Sequence, residues 1–148
     1  MKHSHIAFIL SLLFMFVSPA IFAQSADVQA RGQAAAKAVP DNFSFIYAPS
    51  SGAIADETFV LTSKAKGPSA MAKTLGKLFR NADSQPLVIA VSGPSNTKTV
   101  QVIKDALVVT KKSELSKLKL VFVGGESAAK EVEAAINTVG GTFVFAKF

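Results

Sequence analysis

From residue 42 onward the chain alternates between two hydrophobic periods. Residues 43–47 (Phe-Ser-Phe-Ile-Tyr) begin with apolar and polar positions in turn, which predicts a strand, and the turn cluster Pro49-Ser50-Ser51-Gly52 ends it. Residues 58–62 (Thr-Phe-Val-Leu-Thr) read as a second strand, joined to the first by a hairpin-like loop rather than a crossover helix. Three more strands are predicted at 87–91, 118–123 and 142–146. The runs Leu-Val-Ile-Ala-Val and Leu-Val-Phe-Val in the first two lack polar alternation, as strands covered on both faces do.

Between these strands the period becomes helical. Met71, Leu75, Leu78 and Phe79 form one apolar stripe, Val100, Ile103 and Leu107 a second, and Val132, Ala135, Ile136 and Val139 a third. The alternation predicts an α/β fold: a single three-layer domain with a five-stranded, mainly parallel sheet, three main helices and right-handed crossovers.

The ends of the chain read differently. Lys2, His3 and His5 precede an apolar run over residues 6–17, and Ser18-Pro19-Ala20-Ile21-Phe22-Ala23 closes it with small residues, the pattern of an export signal cleaved after Ala23. A retained membrane anchor would need about 20 apolar residues and a cationic flank. The run is shorter, carries Ser11, Ser18 and Pro19, and meets no Lys or Arg before Arg31. The domain organisation is therefore a signal peptide at 1–23, a flexible or weakly helical arm at 24–41, and an α/β domain at 42–148. In the arm, Val28 and Val39 offer few apolar positions with which to bury a helix face. Periplasmic or secreted localisation is the expectation, without disulfides, since the chain has no Cys.

Charge adds a second constraint. The 148 residues carry a formal +6, reduced by one when Lys2 leaves with the signal, a balance that suits an anionic partner as well as ordinary solubility. Lys64 and Lys66 precede a helix on which Lys73, Lys77 and Arg80 recur at i, i+4 and i+7. This stripe is the candidate contact face for another envelope protein or an anionic surface, although a solvated face is the simpler explanation of it. No interleaved aromatics accompany it, so nucleic acid is not expected, and membrane association would be peripheral only.

Candidate chemistry is limited. Both His residues lie in the signal segment and Cys is absent, which removes Ser-His-Asp and Cys-His nucleophiles, the usual zinc sites, His-ligated haem and thiol redox chemistry from the remainder. No cofactor or metal site is expected. Asp56 with Glu57, and Glu131 with Glu133, are spaced so that their side chains diverge, as solvated surface charges do. Asn42-Phe43-Ser44 fits a glycosylation sequon but opens a strand.

Three strand-to-helix junctions share one design: Lys66-Gly67-Pro68-Ser69, Ser92-Gly93-Pro94-Ser95 and Gly124-Gly125-Glu126-Ser127. Each Gly permits a tight reversal and each Ser is placed to cap the next helix. Helix starts at the carboxyl ends of parallel strands also attract anions, so Gly93, Ser95, Gly125 and Ser127, helped by Lys98, are candidate ligand-binding residues. Against this, both phosphate-loop patterns are missing, Pro68 and Pro94 each remove a donor, and Glu126 repels an anion. The sequence thus favours an exported, non-catalytic binding or assembly protein, for instance an accessory part of a bacterial pilus or secretion apparatus. A small-ligand or anion-binding domain, possibly enzymatic, is the alternative.

Overall fold

A computed structural model describes residues 19–111 and 114–148; most of the signal segment lies outside the described residues. In chain order the elements are α1 (Pro19–Ala38), β1 (Ser44–Tyr47), α2 (Ala53–Lys66), α3 (Ala70–Phe79), a 3-10 turn (Arg80–Asp83), β2 (Leu87–Ser92), α4 (Asn96–Thr110), β3 (Leu118–Gly124), α5 (Glu126–Asn137) and β4 (Thr142–Lys147). The fold is α/β, and its sheet is parallel throughout, in the order β1-β2-β3-β4.

Two features of the predicted fold are corrected. Among the described residues the sheet has four strands, not five, and five helices surround it, not three. Residues 58–62 lie inside α2, and the link from β1 to β2 is a helical crossover through α2 and α3 rather than a hairpin-like loop. The Phe59-Val60-Leu61 run favours a strand by local propensity, but Phe59 and Val60 turn inward and Leu61 outward, as on a helix. The helical period is hidden because two of the inward positions, Asp56 and Ser63, are polar.

The strand order explains the layering. Each new strand is added on the same side of the last, so right-handed crossovers put every connecting helix on one face. On that face Ile89, Val91, Leu120 and Phe122 pack with Leu75 and Phe79 of α3, Ile103 of α4 and Val132 and Ile136 of α5. Alternate strand residues point the other way, where Ala90, Val121, Val123 and Ala146 meet Ala35 of α1 and Val39 just beyond it. The segment at 24–41 is thus helical as far as Ala38 and covers the second sheet face. Its buried positions are Arg31, Ala35 and Val39, with Ala34 and Ala38 partly buried beside them, so the inward face is mostly alanine and a count of Val and Leu passes over it. Among the described residues no helix is long and apolar enough to cross a membrane.

Candidate functional site

The carboxyl ends of the four strands form a rim, and two polar clusters occupy it, one on each sheet face. On the crossover face, Ser95 caps α4 by accepting from the Lys98 amide at 3.3 Å. The first turn of α4 then carries the Lys98 side chain toward the loop after β1. Its Nζ donates to the Pro49 carbonyl at 2.6 Å and to Asp56 Oδ1 at 3.1 Å, and stands 5.1 Å from the centre of the Phe59 ring. Asp56 also accepts from Ser50 Oγ at 2.5 Å and the Ser51 amide at 3.1 Å.

Both charges are buried, with Lys98 8% and Asp56 4% exposed. Asp56 is therefore not the solvated surface charge that its sequence position indicates. Burial alone would push its carboxyl up. Hydrogen bonds from Ser50, the Ser51 amide and Lys98, with the attraction of the Lys98 charge, outweigh that and hold it below the ordinary carboxylate range.

The second cluster lies on the α1 face. Arg31 Nε donates to both carboxylate oxygens of Asp27, each at 2.9 Å, and another guanidinium nitrogen donates to Ser92 Oγ at 3.1 Å. Ser92 Oγ in turn donates to the Val123 carbonyl at 2.7 Å, tying α1 to two strands. The Phe148 ring stacks 4.1 Å from the guanidinium carbon. Tyr47 closes the cluster by donating to Asp27 Oδ2 at 2.7 Å. Burial first, then the Asp27 hydrogen bond and charge, push the Tyr47 hydroxyl up to about 12, so it remains a donor and not a base near neutral pH.

The residues singled out by the junction pattern fall into different situations. Gly93 is a close-packing position, since a Cβ there would sit 2.3 Å from the Ala48 carbonyl oxygen. Ser95 acts as the cap described above, and Lys98 is engaged by Asp56. The Gly125 amide donates to Asn96 Oδ1 at 3.3 Å. Ser127 is no cap: Gly125 is the N-cap of α5, and Ser127 is exposed within the first turn of the helix. The third junction therefore departs from the other two, where Ser69 and Ser95 do cap their helices.

Ser127 lines a groove of about 460 Å³ between α2, α4 and α5, together with Lys64, Thr97, Gln101 and Lys104. Lys104 is already paired with Glu131 at 2.7 Å. Lys73, Lys77 and Arg80 are all exposed on or just after α3, and among the described residues no carboxylate lies within ion-pair distance of them.

Sequence reasoning assigned no site role to Asp27, Arg31 or Tyr47. A signal was present, since Asp27 and Arg31 stand at i, i+4 in a segment of good helix formers. No local pattern pairs Asp56 with Lys98, because the crossover alone brings them together. Among the described residues no group of three or more His, Cys, Asp or Glu side chains is arranged to hold a metal ion. Among the described residues the strand order never reverses, so they form no switch-point crevice of the kind in which open α/β sheets usually bind ligands. Comparison of the chain with family models, curated proteins and solved structures returns no match.

Proposed function

We propose that this chain is an exported, non-catalytic binding or assembly protein, acting in the periplasm or outside the cell as an accessory component of a bacterial envelope apparatus such as a pilus or secretion system. The observation that carries this reading is the contrast between the rim and α3. Rim groups able to do chemistry are consumed by one another: Lys98 by Asp56 and Pro49, Arg31 and Tyr47 by Asp27. The charges on α3 face water without a described carboxylate partner. An α3 face of that kind suits an acidic protein surface or anionic head groups, by attraction that salt weakens.

The test is recovery of cross-linked envelope partners by the purified domain and by a variant carrying Lys73→Glu, Lys77→Glu and Arg80→Glu. Loss of a specific partner in the variant, with an unchanged unfolding curve, supports the reading; equal recovery by both proteins removes it. Cosedimentation with anionic vesicles that disappears at high salt would assign the same face to a membrane surface instead.

The groove beside Ser127 favours the second reading, a small anionic or polyhydroxylated ligand held by Lys64, Thr97, Gln101 and Ser127. Titration with inorganic phosphate and simple sugars, followed at the amides of Asn96, Gly125 and Ser127, separates the two. Saturable shifts confined to these amides favour the groove, and no response favours the α3 face.

A further inference from the structure

Helix α2 is attached to the domain differently from its neighbours. α3 and α5 present apolar stripes to the core, through Leu75 and Phe79 and through Val132 and Ile136. The inward stripe of α2 is Asp56, Phe59, Val60 and Ser63, polar at both ends. Asp56 meets Lys98, and Ser63 Oγ donates to Asp105, which also accepts from Gln101 Nε2 at 2.8 Å. Both stitches reach α4, and from the first to the second each chain advances by the same sequence interval, so the two helices run parallel. Only Phe59 and Val60 supply apolar contact between the stitches.

The ends of α2 are also unusual. Gly52 at its start has φ 102° and Gly67 after its end has φ 92°, and a Cβ at either would meet nothing within 4 Å. These glycines serve backbone conformation, not close packing, and both sit in open space as hinges do. On the outer side Ile54 is 82% and Leu61 68% exposed, so among the described residues that face is largely open.

We propose that α2 is a hinged flap, swinging off α4 as a unit about Gly52 and Gly67 while the sheet, α3, α4 and α5 remain folded. Opening returns Asp56, Lys98, Ser63, Asp105 and Gln101 to water, which replaces their hydrogen bonds, and among the buried α2 side chains removes only Phe59 and Val60, with the patch they cover, from apolar surroundings. A segment held in this way opens well below the free energy of global unfolding. Because Val60 and Lys64 form one wall of the groove beside Ser127, the flap also sets how wide that groove is. None of this depends on the role assigned to α3.

Hydrogen exchange on the full chain tests the proposal. Amides 57–66 are expected to exchange at least tenfold faster than the central amides of α3 and α4. Asp56→Asn, which weakens one stitch, is expected to accelerate α2 roughly tenfold more while leaving α4 and α5 unchanged. Equal protection of α2 and α4 in the unaltered protein would overturn the flap. So would uniform acceleration of the whole domain by Asp56→Asn, which would mean that α2 opens only when everything does.

Discussion

Lys98 and Asp56 show how a burial cost is met residue by residue. Taking two charges out of water is unfavourable unless geometry and further hydrogen bonds compensate, and here Pro49, Ser50 and Ser51 complete the pair. Asp56→Ala strands the Lys98 ammonium in a buried site and should cost about 3–5 kcal/mol in urea unfolding. Adding Lys98→Met to Asp56→Ala should recover a large part of that loss, because no charge is then left unpaired. The pair also imposes a pH dependence. The folded Asp56 pKa lies below its unfolded value of about 3.9, so the unfolded chain binds the extra proton first as pH falls. The contribution of Asp56 is complete above that unfolded value and disappears as pH drops through the folded one. Urea midpoints measured from pH 6 to pH 2 should therefore fall more steeply for the unaltered protein than for Asp56→Asn.

At the scale of elements, α1 and α2 are opposites. α1 looks polar and alanine-rich in sequence, yet Ala35 is fully buried and the Arg31 cluster fixes the helix against β2, β3 and the end of the chain. Close approach is possible because the sheet offers small side chains there, Ala90 and Ala146 among them. Ala35→Leu should overpack this interface and destabilise the protein by about 1–3 kcal/mol, read from the urea midpoint. α2 looks apolar at residues 59–61, yet Leu61 faces water. Leu61→Lys should change stability by no more than about 0.5 kcal/mol, whereas a strand at 58–62 would have made Leu61 a costly site.

For the whole molecule, the strand order among the described residues puts α2 to α5 on one face of the sheet, and the other face is covered by α1, from the segment before residue 42. A chain starting at Asn42 would expose Ala90, Val121, Val123 and Ala146 together with flanking Phe45 and Val144. Such a protein should lose cooperative thermal unfolding and bind a hydrophobic dye, while one starting at Gln24 should keep a sharp transition. Dye binding no greater than that of the longer chain would show that α1 is dispensable for the core.

Local pattern determined a good deal. Apolar runs at 87–91 and 120–123 without polar alternation marked the central strands, since strands covered on both faces bury residues of both parities. The stripes through Leu75, Ile103 and Ile136 marked helices, and Ser69 and Ser95 marked two of their starts. Those signals arise within a turn or two of chain, where spacing alone decides which side chains share a face. Other features were settled only by the tertiary structure: the helical state of 58–62, the burial of Asp56 and Ser63, and the packing of an alanine-rich segment on the sheet. Each depends on a partner distant in sequence, Lys98, Asp105 or the small residues of β2 and β4. Polar residues buried against one another carry no hydrophobic period, and the alanine face of α1 is buried because the small Ala90 and Ala146 side chains let the helix approach the sheet.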